Sequence, residues 1–233
     1  MEKGKLLYEG KAKQIFETDG PDEVLVYYKD DATAFNGEKK GTINSKGLLN
    51  NAISTLFFEM LEKEGVPTHF VKKIDERTQL VKRLAIIPIE VVVRNIAAGS
   101  LAKRLGWEEG RDLGRPVVEL YYKDDDLGDP LINHYHVAVL QIAEPGTVRR
   151  LEELGLKINE ILSRHLIDRR IILVDFKLEF GFHLGRLLLG DEISPDTCRF
   201  WDAETREKLD KDRFRRDLGN VEEAYQEIYN RLK

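Results

Sequence analysis

Hydrophobic residues recur at helical spacing in two long segments of the chain. In Lys46–Glu64, apolar side chains return every three or four positions, and Gly65 and Pro67 then supply residues that commonly end a helix. The second segment begins at Pro145, and its apolar stripe continues to Leu166. Each pattern predicts a long helix that buries one face against the rest of the protein.

Shorter apolar or alternating segments, separated by turn residues, predict β-strands elsewhere. Asp30–Ser45 is polar and contains Gly37 and Gly41, so we expect a mobile loop there. Ser100 is placed to cap a short helix, and the charged tail from Glu204 is expected to be helical, with a solvated face at 206–216. The predicted strands are Leu6–Glu9, Gln14–Thr18, Val24–Lys29, Gln79–Leu84, Ile89–Arg94, Val117–Lys123, Ile171–Phe182 and Arg186–Glu192.

The order of these elements predicts the fold class. Antiparallel hairpins stand at both ends of the chain, with helices between them, which favours an α+β protein built from two lobes. The link Ala85–Pro88, between two predicted strands, is the candidate boundary. It divides the chain into an N-terminal antiparallel-sheet lobe, residues 1–84, and a larger α+β lobe, residues 85–233.

Composition narrows the function classes. The 233 residues include 37 Lys and Arg against 42 Asp and Glu, a net charge of −5 that argues against a general nucleic-acid binder. The single cysteine, Cys198, excludes an intramolecular disulfide and fits a reducing compartment. No apolar run approaches the ~18 residues of a membrane span, and Met1–Lys5 lacks the apolar core of a signal peptide. We therefore expect a cytoplasmic protein that engages neither nucleic acid nor a membrane.

One predicted strand carries a charged face. Because strand side chains alternate, Asp175, Lys177 and Glu179 point to one side of Leu173–Phe180. A three-residue hairpin loop at 183–185 would pair residue 182 with 186, and would bring Asp191 opposite Lys177. A two-residue loop would instead send Asp191 to the other face.

This grouping of charges suits a specific chemistry. Mg²⁺ prefers one or two carboxylates with phosphate oxygens and water, so Glu179 and Asp191 are candidate ligands. An ammonium such as that of Lys177 stabilises charge on a transferring phosphoryl group. A half-solvated sheet face or a structural ion-pair network are the alternatives on this segment alone.

Two further segments have the composition of anion sites. Lys11 and Lys13, in a small-residue turn, can meet phosphate charge, although basic hairpin tips are usually only solvated. Arg94 closes an apolar strand shortly before the helix that begins near Ser100, and helix N-termini bind phosphate. An ordinary capped helix is the alternative there. Arg199 follows the carboxylate strand and can reach the same anion through its guanidinium.

These motifs together resemble the phosphoribosylaminoimidazole-succinocarboxamide synthase (SAICAR synthetase) family along nearly the whole chain. The resemblance implies ATP-dependent joining of carboxyaminoimidazole ribonucleotide (CAIR) to L-aspartate in purine biosynthesis, with ADP and phosphate as the other products. It also implies a two-lobed fold with nucleotide in the interlobe cleft. The matching segments are Leu7–Lys13, Pro88–Asn95, Ala98–Ser100, Leu173–Gly181, Gly190–Arg199 and Leu209–Asp212.

The resemblance also implies roles for individual residues. ATP would be bound by Lys11 and Lys13 at its phosphates, by the backbone of Lys82–Leu84 at its adenine edge, and by Ile15 at its ring. Mg²⁺ would be held by the two carboxylates named above. The ribonucleotide's phosphate would be bound by Arg94, Ser100 and Arg199.

The implied mechanism activates a carboxylate. Transfer of the γ-phosphoryl group to CAIR makes an acyl phosphate, which the aspartate amine then attacks. Lys177 would sit at the reacting carboxylate, and Asp175 would accept a proton or orient Lys177. The Gly37–Gly41 loop would close over the site to exclude water.

Two rival functions share these motifs. A small-molecule phosphotransferase would handle ATP and Mg²⁺ in the same way but stop after phosphorylation, and a non-catalytic nucleotide sensor would only bind. An RNA-binding role lacks interleaved basic and aromatic residues. The family resemblance also suggests a homo-oligomer, and we expect a dimer.

Overall fold

The computed structural model describes residues 3–34 and 39–233. In chain order its elements are β1 (Leu6–Glu9), β2 (Lys13–Glu17), β3 (Glu23–Tyr28), β4 (Asp31–Ala34), β5 (Lys39–Thr42), α1 (Lys46–Lys63), β6 (Phe70–Lys73), β7 (Thr78–Lys82), β8 (Ala85–Ile96), α2 (Gly99–Leu105), β9 (Asp112–Tyr122), β10 (Leu131–Ile132), α3 (His134–Leu140), α4 (Pro145–Ile167), β11 (Ile171–His183), β12 (Arg186–Leu189), β13 (Cys198–Asp202), α5 (Asp212–Arg215) and α6 (Val221–Leu232). The predicted α+β class is confirmed.

Two antiparallel sheets form the framework. The first has five strands in the order β1-β2-β3-β7-β6, and the second runs β10-β9-β8-β11-β12 with β13 paired to β11. β11 is the centre of the second sheet, because β8, β12 and β13 all pair with it. Arg83 and Leu84 lie between the last strand of the first sheet and the first strand of the second.

The main hydrophobic core lies on the second sheet and is covered by helices. α4 crosses β8, and a Cβ atom placed on Gly155 would lie 3.2 Å from methyl groups of both Val91 and Val93. α1 also joins this core, because Phe57 stacks on Phe200 of β13 with ring centroids 6.1 Å apart. The sheets therefore separate near residue 84 while α1 packs with the larger one, and the domain boundary stays a prediction.

Both long helices are confirmed, but three predictions about the loop, the link and the tail are wrong. The expected loop Asp30–Ser45 contains the β4–β5 hairpin; the part of it at residues 35–38, including Gly37, lies outside the described residues. Ala85–Pro88 is the start of β8 and not a linker. Pro88 fits there because the β8–β11 register shifts around it, and an irregular ladder does not need its missing N–H.

The third error concerns residues 206–216, which are not a solvated helix face, although α6 later in the charged tail is helical as predicted. Among residues 206–216 only the short α5 is helical, and Asp210 and Asp212 are buried. The Asp210 carboxylate accepts backbone N–H bonds from Phe200 (2.9 Å) and Asp212 (2.7 Å). These two hydrogen bonds offset the free-energy cost of burying the Asp210 carboxylate. The charged composition of the segment alone indicates an exposed side chain instead. None of the helices in the described ranges combines the length and apolarity needed to cross a bilayer.

The close approach of α4 to β8 makes Gly155 a test of the packing. Gly155→Leu should lower the free energy of unfolding by about 1–3 kcal/mol, because the added side chain overpacks the helix–sheet contact. Urea unfolding followed by circular dichroism measures the change. Gly146→Leu is the matched control, since a Cβ there meets no atom within 4 Å. Equal stability of the two variants would contradict this packing.

Candidate active site

A cleft of about 1660 Å³ opens between the two sheets. The first sheet contributes the turn between β1 and β2, and the Lys82–Leu84 segment closes one end. The second sheet contributes charged side chains of β8 and β11, and the β4–β5 hairpin and the loop after β12 also line the cleft. The cleft therefore gathers polar groups from distant parts of the sequence onto a rigid sheet framework.

Lys177 is at the centre of a carboxylate cluster in this cleft. Its Nζ lies 2.8 Å from Glu90 Oε1, 2.5 Å from Glu179 Oε1 and 3.7 Å from Asp191 Oδ2. Lys123 Nζ approaches Glu179 Oε1 at 2.9 Å from the other side. The structure thus brings together the lysine and both carboxylates that the sequence pattern singled out.

Glu90 and Lys123 are members of this cluster that sequence reasoning missed. Glu90 is the direct cross-strand partner of Glu179 in the β8–β11 ladder. These strands are far apart in the chain, so no local pattern announces their pairing. Glu90 lies in the Pro88–Asn95 segment. The sequence of that segment contributes to the family resemblance, but it does not indicate the pairing with Glu179.

The carboxylates of this cluster hold Lys177 in its charged form. Burial acts to lower the pKa of Lys177, but Glu179, Asp191 and Glu90 raise that pKa well above its usual range, so the ammonium stays charged. Burial in turn raises the pKa of Glu90, and Lys177 partly offsets this. A cation held this firmly between carboxylates is suited to stabilising developing negative charge.

Asp191 reaches the cluster by a route that differs from the predicted one. The β11–β12 hairpin has a two-residue loop, with His183 paired to Arg186, so the predicted register is wrong by one residue. Continued pairing would have turned Asp191 away, but β12 ends at Leu189. Asp191 then adopts a left-handed backbone (φ 57°), which turns its side chain back toward Lys177.

The glycine–lysine turn of the first sheet faces the same carboxylates. Lys13 Nζ forms an ion pair with Asp191 and lies 3.1 Å from Glu192 Oε1, while Lys11 Nζ lies 2.7 Å from Asp125 Oδ1. Burial opposes the charge of Lys13, yet Asp191 and Glu192 raise its pKa well above the usual value. Both lysines therefore bridge the cleft.

An apolar wall lies next to these lysines. Ile15 packs against the buried side chains of Val24, Val26 and Val81 on the first sheet, and all four line the cleft. Lys82 and Leu84 line the adjoining end. This end of the cleft offers a flat apolar surface beside backbone polar groups, which suits an aromatic heterocycle.

A second charged cluster, which we call the arginine cluster, is centred on Arg94 and Arg199 and lies beside the cleft. Arg94 Nε lies 2.6 Å from Glu119 Oε2 and its NH1 lies 2.6 Å from Asp175 Oδ2. Asp175 also accepts bonds of 2.8 and 2.9 Å from NH1 of Arg199. Asp175 is therefore held by two guanidinium groups, and the structure shows no contact between its carboxylate and Lys177 in the described ranges.

Ser100 belongs to this second cluster, but not as a helix cap. Ala98 is the N-cap of α2, and Ser100 is already helical, with its Oγ accepting a 3.0 Å bond from Arg94 NH2. Gly99 has φ 51°, and a Cβ atom on it would fall 2.5 Å from Arg199 NH2. The glycine lets the guanidinium approach the start of the helix. Arg94, Ser100 and Arg199 are not among the residues that line the main cleft.

The carboxylates of the cleft are candidate ligands for a metal ion. Within residues 3–34 and 39–233, no three His, Cys, Asp or Glu side chains are grouped as metal ligands. Glu179 and Asp191 are nevertheless close enough to contact one cation, because Lys177 touches both. Two carboxylates open to a cleft match the sparse protein ligation of Mg²⁺, which completes its shell with phosphate and water.

Comparison with known proteins identifies the family of this chain. The sequence profile of the SAICAR synthetase family matches residues 6–232. The chain belongs to the SAICAR synthetase family. It is 64% identical to the phosphoribosylaminoimidazole-succinocarboxamide synthase of Desulfitobacterium hafniense, over 100% of this chain and 98% of that protein.

Solved structures of SAICAR synthetases share the fold. The crystal structure of the Ehrlichia chaffeensis synthase superposes with a TM-score of 0.96 at 47% identity, covering 98% of each chain. A SAICAR synthetase in complex with ADP gives a TM-score of 0.94 at 52% identity, covering 97% of each chain. The two-sheet arrangement around the cleft is thus the arrangement of this family.

The arginine cluster predicts an acid-sensitive contribution to stability. Asp212 accepts bonds from Arg199 Nε (2.9 Å) and Arg215 NH1 (2.7 Å). Burial acts to raise its pKa, but the two arginines lower the pKa of Asp212 to about 2. This lies below the unfolded value near 3.9, so the stabilisation is complete above that value and is lost as the pH falls.

Asp212→Asn should therefore cost less stability in acid than at neutral pH. The difference in free energy of unfolding between wild type and variant should shrink by roughly 1 kcal/mol between about pH 6 and about pH 3, as measured by urea titration. Asp126→Asn, an exposed position, is the control and should show no such trend. A pH-independent difference for Asp212→Asn would contradict the assignment.

Proposed function

We propose that this chain is the ATP-dependent ligase that joins CAIR to L-aspartate in purine biosynthesis, forming SAICAR, ADP and phosphate. Family membership over residues 6–232 supports the reaction class, and the ADP complex of a related SAICAR synthetase supports nucleotide use. The observation that carries the proposal is Lys177, half-buried in the cleft between Glu90, Glu179 and Asp191.

The first step is activation of a carboxylate. The two negative oxygens of CAIR's carboxylate resist attack by an amine, so transfer of the γ-phosphoryl group of ATP forms an acyl phosphate with a good leaving group. Lys177 neutralises charge that builds on the transferring group. The cleft's sheet framework holds donor and acceptor in line, which removes much of the entropic barrier.

ATP would occupy the first-sheet side of the cleft. Lys11 and Lys13 would exchange their ion pairs with Asp125 and Asp191 for contacts to phosphate. The apolar wall at Ile15 and the backbone of Lys82–Leu84 would hold the adenine. Mg²⁺ bound with ATP would be held by Glu179 and Asp191 and would add positive charge at the phosphates.

The ribonucleotide phosphate would be bound by the arginine cluster. Arg94 already donates hydrogen bonds to four side chains, so it would contribute mainly charge and positioning to phosphate binding. These side chains are Glu119, Asp175, Ser100 and Tyr121. Arg199 turns its NH2 group toward the start of α2. A phosphate there would meet this group together with the Ser100 hydroxyl.

Asp175 would act as a positioning residue in this scheme. Its carboxylate is buried, both of its oxygens accept bonds from guanidinium groups, and it does not contact Lys177 in the described part of the chain. The proton of the aspartate amine would therefore leave through another group. Closure of the Gly37–Gly41 loop, a cytoplasmic location and a homodimer stay predictions.

Product formation distinguishes this function from its rivals. Purified protein with ATP, Mg²⁺, CAIR and aspartate should release ADP at full rate only when both acceptor substrates are present. ADP release without aspartate at a comparable rate would support a phosphotransferase. Nucleotide binding without turnover would support a sensor. Either result would contradict the ligase assignment.

Lys177→Ala should lower kcat by about 10²–10³, the usual effect of removing a preorganised charge-stabilising group. Steady-state kinetics with saturating substrates measures the loss, and circular dichroism checks that the variant folds. Lys73→Ala, on an exposed part of β6, is the control and should keep wild-type kcat. An unchanged kcat in Lys177→Ala would remove this lysine from the mechanism.

A further inference from the structure

A third buried charge cluster lines the cleft and has no role in the scheme above. Asp196 accepts a 2.7 Å bond from the Tyr225 hydroxyl, and its Oδ2 lies 2.7 Å from Lys46 Nζ. Lys211 Nζ stands farther off, 3.6 Å from the same oxygen. Asp196 and Lys211 line the cleft, while Lys46 is only 1% exposed.

This cluster contains more positive than negative charge. Asp196 carries one negative charge and is already matched by Lys46, so Lys211 is the surplus cation. Within residues 3–34 and 39–233, Asp196 is the one carboxylate within 4 Å of Lys211 Nζ. The neighbouring Glu192 is paired with Lys13. A lysine side chain that is 12% exposed is thus left without a full counter-charge.

Three of the lysines that line the cleft, Lys13, Lys177 and Lys211, differ in the number of carboxylates near their ammonium groups. Lys13 and Lys177 each have at least two carboxylates within 4 Å of their ammonium groups. Burial lowers the pKa of Lys211, and the attraction of Asp196 does not restore it. An anion arriving at Lys211 would supply the missing charge, whereas the other two lysines already have theirs.

Lys211 also lies close in the fold to the reacting centre. Its backbone N–H donates to Pro195 O at 3.0 Å, and Thr197 O accepts a 2.9 Å bond from the Lys177 backbone N–H. Residues 195–197 therefore separate Lys211 from Lys177 by one short stretch of chain. An anion bound at Lys211 would therefore lie in the same cleft as Lys177.

We propose that Lys211 binds a carboxylate of the amino-acid substrate, L-aspartate. This assignment rests on the proposed function, in which the ATP phosphates meet Lys11 and Lys13 and the ribonucleotide phosphate meets the arginine cluster. The two carboxylates of aspartate are the reaction's remaining anions without a counter-charge. One of them at Lys211 holds the amine next to the activated carbon at Lys177 and completes the charge balance of Asp196 and Lys46.

Substitution of Lys211 should affect one substrate selectively. Lys211→Met should raise the KM for aspartate by about 10–100-fold, the loss expected for one charge-assisted hydrogen bond, and leave the KM for ATP within about threefold. Lys211→Arg, which keeps the charge, should recover most of the loss. Lys208→Met is the matched control, because Lys208 pairs with Glu109 outside the cleft; its kinetics should match wild type.

The outcomes separate this proposal from the proposed function. If wild type forms product and Lys211→Met keeps the wild-type KM for aspartate, only the Lys211 assignment is overturned. An equal rise in KM for ATP and aspartate would also overturn it. If wild type forms no product with aspartate, the function itself fails.

A second measurement uses unaltered protein in case Lys211→Met does not fold. Acylation of lysines by acetic anhydride, mapped by peptide mass, should be slower at Lys211 when aspartate is added with CAIR and a non-hydrolysable ATP analogue. Lys208 should be acylated at the same rate with and without aspartate. Absence of protection at Lys211 at saturating aspartate would overturn the proposal.

Discussion

The site depends on the burial of two carboxylates opposite each other in one sheet. Glu90 and Glu179 are cross-strand partners in β8 and β11, both mostly buried, and like charges directly opposite are destabilising. Lys177 contacts both, and Lys123 contacts Glu179. The arrangement is stable only with these ammonium groups in place, so the same ion pairs that permit the fold also position a cation for chemistry.

The other buried cations are likewise paired with carboxylates in the protein without substrate. Lys13 is paired with Asp191, and Arg94 and Arg199 share Asp175. If the buried cations of the cleft had no carboxylate partners, the protein without substrate would contain uncompensated buried charges. Such charges are costly in free energy. In the proposed function, Lys11 and Lys13 would instead exchange one anionic partner for another when substrate arrives. Lys211, with its long contact to Asp196, departs from this pattern.

Sequence patterns predicted what depends on local spacing and missed what depends on long-range pairing. Helices α1 and α4 follow from apolar periodicity, and the charged face of β11 follows from alternation. The hairpin register did not follow, because Gly185 suits a two-residue as well as a three-residue loop. Asp191 was placed correctly for a different reason, its left-handed backbone, which no composition rule indicates. Glu90 could not be found at all, because its pairing joins strands far apart in the chain.

The structure also bears on which kinds of catalysis this fold supports. Cys198 is buried, and burial raises the pKa of its thiol, so the thiolate required of a cysteine nucleophile is disfavoured at neutral pH. Burial likewise lowers the pKa of His69 to about 3, which keeps that imidazole neutral beside Lys13 and Asp191. The thiol is therefore not prepared for covalent attack, and the imidazole is too weak a base to accept a proton at neutral pH. The proposed function instead uses direct transfer between bound substrates, in which lysines and carboxylates would adjust the charge.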